Sequence, residues 1–135
     1  MSNPNAAKGR RWELAVRKFL EEVFGRRVLR PHQEGFKDVG DLHLDPFALQ
    51  LKDEARHSFS SYVDDSETQA RNAQLPYGAA VVKRRNTGVG FAYVVMSLRT
   101  FRRVVARLRR AEALLQRYAP EVFHTEHLPE IEKDA

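Results

Sequence analysis

Between positions 9 and 24 the apolar residues recur at helical spacing. Trp12, Ala15, Val16, Phe19, Leu20 and Val23 fall on one stripe, which predicts a helix from about Gly9 to Phe24, with Gly25 placed to end it. Val28-Leu29 is a short candidate strand closed by Pro31, and the polar stretch from Gln33 to Lys37, with Gly35 inside it, reads as a loop. The pattern then changes period. From Asp41 to Lys52 apolar and polar residues alternate on either side of Asp45-Pro46, which predicts a β-hairpin. A second helix is predicted from about Ser60 to Gln74, stopped by Leu75-Pro76. A buried strand follows at Gly78 to Val82, then a turn at Asn86 to Gly90 and a further strand at Phe91 to Met96. Ser97 is placed to cap a third helix carrying Phe101, Val104, Val105, Leu108, Leu115 and Tyr118, which Pro120 ends.

A helix between two predicted strands implies a crossover connection. The order of elements therefore predicts an α/β fold, a mixed central sheet flanked by helices. The chain has 135 residues, enough for one domain with a modest core. Residues 1–8, small and polar, read as a flexible arm, 9–118 as the folded domain and 119–135 as a C-terminal tail. Cysteine is absent, which excludes disulfides and thiolate zinc sites. No apolar run approaches the length of a membrane span and no apolar signal core opens the chain, so no membrane association and a cytoplasmic location, close to the nucleoid, are expected.

Lys and Arg exceed Asp and Glu by five. The excess is clustered: Lys8, Arg10 and Arg11 near the start, Lys83, Arg84 and Arg85 after a predicted strand, and an arginine series from Arg99 to Arg110 on the third helix. Clustered basic charge suits a polyanion through counterion release, and equally describes solvated helix faces.

Candidate chemistry concentrates on the hairpin. Gln50 and Lys52 share one face of their strand, and the turn brings Asp41 opposite them. A carboxylate is a hard ligand suited to Mg²⁺, the Gln50 oxygen can fill a neutral metal position, and the Lys52 amine can orient water or offset phosphate charge. On the first helix, with Trp12 set at 0° and about 100° per residue, Glu13 lies near 100°, between Leu20 and Phe24 at the edge of the apolar stripe. Either it faces a cation or metal at the core's rim, or it pairs with Arg17 or Lys18 and reaches water. Asp38 reads as a turn residue before Gly40. Gln69 is either a site residue or half of a capping box with Ser66. Lys83 can reach a phosphate or end its strand in solvent. His124 and His127 are spaced as a metal pair without an obvious third ligand, which favours a surface role.

Taken in order, Glu13, Asp41, Gln50 and Lys52 resemble the PD-(D/E)xK nuclease superfamily, and Lys8-Gly9-Arg10-Arg11-Trp12-Glu13 looks like the helix opening of its Holliday junction resolvase branch. The resemblance implies a restriction-endonuclease-like fold and a homodimer that cuts branched DNA with Mg²⁺ or Mn²⁺. It implies catalytic roles for those four residues, with Glu13, Asp41, Gln50 and the Leu51 carbonyl as metal ligands. DNA contacts would come from Lys8, Arg10, Arg11, Gln69, Lys83, Arg84 and Arg85. Two positions depart from the family pattern: Gly40 stands where proline precedes the aspartate, and Gln50 replaces an acid. The second departure keeps open a non-catalytic DNA-binding relative of the same fold, beside a nuclease acting on linear duplex or RNA.

Overall fold

The hairpin forms one side of a four-stranded mixed sheet. A computed structural model describes residues 3–32, 35 and 37–122. Strand β1 (Leu42–Leu44) pairs antiparallel with β2 (Phe47–Lys52). Helix α2 (Phe59–Ala73) then crosses over, so that β3 (Tyr77–Val82) runs parallel to β2, with Gln50 beside Ala80 and Lys52 beside Val82. Strand β4 (Tyr93–Val95) closes the other edge antiparallel to β3, giving the order β1-β2-β3-β4. The coarse expectation, an α/β chain with a mixed sheet, is what the structure has.

Helix α1 (Pro4–Phe24) starts five residues before the expected boundary. The Asn3 side chain accepts from the Asn5 N–H at 3.0 Å and proline opens the first turn, so residues 4–8 are helix rather than a loose arm. Val28-Leu29 forms no named strand; Leu29 makes an isolated bridge to His43. The strand expected over Phe91 to Met96 is shortened by a 3₁₀ turn at Val89–Phe91.

The sheet's two faces are packed differently. Facing α1, the large residues Leu42, Leu49 and Val81 meet Trp12, Val16 and Val28 in the main core. Trp12 also donates its indole N–H to the Val81 carbonyl at 3.3 Å. Facing α2, Ala48, Gly78 and Ala80 are small, and Val82 joins Ala80 and Tyr62 in a second, smaller apolar cluster. A Cβ on Gly78 would lie 2.0 Å from the Ser66 carbonyl oxygen, so the absence of a side chain there lets the α2 backbone approach the sheet. Ser66 is completely buried at that contact and bonds its hydroxyl to the Val63 carbonyl.

The chain divides into two compact units, Met1–Ser97 and Leu98–Ala135. The boundary falls ahead of the third helix, whereas the expected domain ran past it to residue 118. Within the second unit, α3 (Leu98–Tyr118) is amphipathic, with Leu98, Phe101, Leu108 and Tyr118 exposed among its arginines. No helix among the described residues is long and apolar enough to cross a membrane. His124 and His127 lie outside the described residues.

Candidate active site

Asp41 stands one residue before β1, at the end of the stretch whose backbone bonds to β2. Its N–H donates to the Leu49 carbonyl at 2.9 Å, and its Oδ2 accepts from the Leu51 N–H at 2.8 Å. The side chain thus completes the ladder that the backbone leaves open. A strand residue's N–H and C=O lie on the same edge, so the Leu51 carbonyl is on the Asp41 side as well. The paired register ends at Leu42–Leu49, and the two bonds set Asp41 beside Leu49 and Leu51, the residues that flank Gln50.

The carboxyl of Asp41 titrates above the usual aspartate range. Burial among protein atoms is the main cause, although the residue as a whole keeps solvent-accessible surface. The Leu51 N–H opposes the shift. The negative charges of Glu13 and Asp38 add to it, and the Lys52 ammonium opposes it. Residues from α1, the loop before β1, and β2 therefore act on one carboxylate.

Gln50 is 7% exposed, and its side-chain oxygen Oε1 is buried with no hydrogen-bond partner. A buried acceptor without a donor is costly, and such a group fits a site that receives a donor or an ion. Lys52 is held on its outer side: Nζ lies 3.9 Å from Glu54 Oε1 and 5.5 Å from the centre of the Tyr62 ring. The Tyr62 hydroxyl donates to Glu54 and titrates above its ordinary value, first because of burial and then because of that carboxylate.

Glu13 does sit at the rim, half-buried, but neither anticipated cation holds it. Its Oε1 pairs with Arg30 Nε at 2.6 Å, while Arg17 pairs with Glu21 at 3.4 Å. Asp38 has the turn role expected of it: Oδ1 accepts from the Gly40 N–H at 3.0 Å. It is also tethered to α2, since Gln69 Nε2 donates to its Oδ2 at 2.8 Å and Asn72 Nδ2 to its carbonyl at 2.9 Å. Gln69 is therefore no capping residue. It lies deep in α2, 3% exposed, and its own Oε1 is buried without a partner.

Gly40 stands where the resembled pattern has proline. Its φ is +93°, a conformation proline cannot reach, and its N–H is used by Asp38. The chain enters the Asp41 position by a different turn from the one a proline would make.

The basic residues expected to contact DNA separate into groups. Arg10 and Arg11 are exposed on α1. Arg84 lies 5.8 Å from the centre of the Tyr93 ring. Lys8, Lys83 and Arg85 converge on Asp53, at 3.9, 3.7 and 2.8 Å, and the Asp53 side chain is only 2% accessible. The Arg85 contact is close but not aligned as a hydrogen bond, so Asp53 Oδ1 has ionic partners alone. Asp53 was invisible to sequence reading: an acid just past a strand end looks solvated, and only distant residues enclose it. Among the described residues no three His, Cys, Asp or Glu side chains gather as a metal-binding group. The cluster at the hairpin instead joins acids to an amide and a backbone carbonyl.

No protein-family model, curated protein or solved structure matches this chain.

Proposed function

We propose that this chain is a metal-dependent DNA endonuclease with a restriction-endonuclease-like fold, working inside the cell on branched DNA such as Holliday junctions. The observation that carries the reading is the orphaned Gln50 oxygen, buried on the residue between Leu49 and Leu51, to which Asp41 is bonded. A carboxylate whose charge is disfavoured and an acceptor lacking a donor are both relieved by one divalent cation. Asp41, Gln50 and the Leu51 carbonyl would hold Mg²⁺ or Mn²⁺, with Glu13 as a further ligand once it exchanges Arg30 for the ion. When bound there, such a cation would supply an acidified water and offset charge on a phosphate.

The protein's own groups do the rest. Lys52, steadied by Glu54 and Tyr62, is placed to orient the attacking water or to stabilise phosphate charge. Asp41 is fixed by the Leu51 N–H, and the Asp38–Gln69 tether holds the loop that delivers it. Arg10, Arg11, Arg84 and the cations around Asp53 would grip the backbone without reading sequence. Two copies related by a two-fold axis would present two sites to two strands.

A second reading has its own support. Gln50 is neutral and Glu13 already has a 2.6 Å partner in Arg30, which suits a DNA-binding relative that does not cut. One experiment separates them: incubation with labelled four-way junction, flap, plain duplex and RNA over a Mg²⁺ titration. Junction cleavage in preference to the others supports the resolvase reading. Cleavage led by duplex or RNA moves the substrate, and binding without cleavage at any Mg²⁺ concentration favours the relative that does not cut.

A further inference from the structure

We propose that Asp53 is the positioning residue of a phosphate-backbone site made by Lys8, Lys83 and Arg85, an inference that rests on the DNA-binding part of the reading above. The three cations come from separate places in the fold: the first turns of α1, the residue after β3, and the loop beyond it. They meet because one acid just past β2 draws them together. The arrangement is layered. The carboxylate is inside, 2% accessible, and the cations are outside, with side chains 34%, 37% and 45% accessible. One negative and three positive charges leave the cluster with a surplus of two, and the accessible part of it is all positive.

A surface ion pair between flexible chains is worth little because ordering both partners costs entropy. Here the acid is already fixed by burial, so each cation is restrained without occupying its outward donors. A guanidinium has five N–H donors, of which one carboxylate engages only part. Lys83 is restrained further by the Trp12 ring, 5.8 Å from Nζ. Such a preorganised set suits the non-bridging oxygens of a phosphodiester. It also adjoins the candidate active site, since Asp53 follows Lys52 directly and the Lys83 N–H donates to the Lys52 carbonyl at 2.9 Å.

The sign of one substitution tests this. Asp53→Asn removes a negative charge from a protein that would bind a polyanion. If Asp53 were only a structural acid, its loss would tighten DNA binding. If it positions the cations, binding weakens despite the added positive charge. The experiment is fluorescence-anisotropy binding of the full chain to a labelled DNA duplex without divalent cations, over a salt series. The expected result is an affinity loss of about tenfold and a slope of log K against log salt reduced by about 1 to 2. Tighter binding, or an unchanged slope, overturns the proposal. Should Asp53→Asn fail to fold, Lys83→Gln and Arg85→Gln decide: each is expected to lower the slope by about 1, and unchanged slopes overturn it. A wild-type chain that binds duplex but never cuts removes the nuclease reading and leaves this one standing. Failure of the wild type to bind duplex overturns this inference, while the junction titration decides the nuclease reading by itself.

Discussion

The two faces of the sheet are built on opposite principles. Toward α1, large apolar side chains interlock around Trp12, Leu42, Leu49 and Val81. Toward α2, Ala48, Gly78 and Ala80 clear space for backbone, and the buried side chains include the polar Gln50, Ser66 and Gln69. The first face carries the larger share of the apolar burial that stabilises the fold. The second gives up some of that burial and holds groups whose polarity is incompletely satisfied. Unsatisfied polarity is expected where a ligand or reaction is to be accommodated, and it lowers stability. Asp41 sits at the end of the sheet beside the second face, with its charge disfavoured.

Substitutions can break this contrast from either side. The largest effect is expected from Gly78→Val, because a Cβ would meet the Ser66 carbonyl oxygen at 2.0 Å and backbone cannot move aside as a side chain can. Denaturant unfolding should show a loss of about 4 kcal/mol or more, up to failure to fold. Leu42→Ala, a truncation of a completely buried residue on the other face, should cost about 3 kcal/mol in the same measurement.

Smaller effects sharpen the contrast by going the other way. Gln50→Leu replaces an unpartnered buried amide oxygen with apolar atoms of similar volume. It should raise unfolding stability by about 1 kcal/mol while removing Mg²⁺-dependent cleavage. Gln50→Glu should retain or raise that cleavage. If Gln50→Glu unfolds the chain, Gln50 is a structural amide and its assignment as a ligand is wrong.

Asp41→Asn should give the smallest stability change, with a defined pH dependence. The Asp41 carboxyl titrates above its unfolded value of 3.8, so the folded chain holds that proton more tightly. Its contribution to stability is full below the unfolded pKa and is lost as pH rises through the folded one. The substituted chain should therefore melt slightly higher than wild type at neutral pH. That advantage should close as the pH is lowered through the folded pKa toward 3.8. Thermal melts across an acid pH series check the sign.

Much of this was legible in the chain. The alternation around Gln50-Leu51-Lys52 fixed the hairpin, and Asp41 enters that hairpin bonded to Leu49 and Leu51. The helix between two apolar runs gave the parallel β2–β3 pair. Local signals also existed for the early start of α1, in Asn3 as cap and Pro4 in the first turn, but the small polar composition obscured them. Other features depend on distant residues and leave no spacing to read. Glu13 is held by Arg30 across a loop, Ser66 and Gln69 are buried mid-helix rather than at a cap, and Asp53 is enclosed by residues from three parts of the chain. Periodicity reports which face a residue is on. It does not report which charged partner tertiary packing will bring to it.

The most direct test of the hairpin cluster is cleavage of a labelled four-way junction by wild type and Asp41→Asn over the same Mg²⁺ titration. The account predicts saturable, Mg²⁺-dependent cutting by the wild type, and a loss of at least about 100-fold in the variant with junction binding largely kept. Equal cleavage by the two chains, or none by the wild type at any Mg²⁺ concentration, would contradict it.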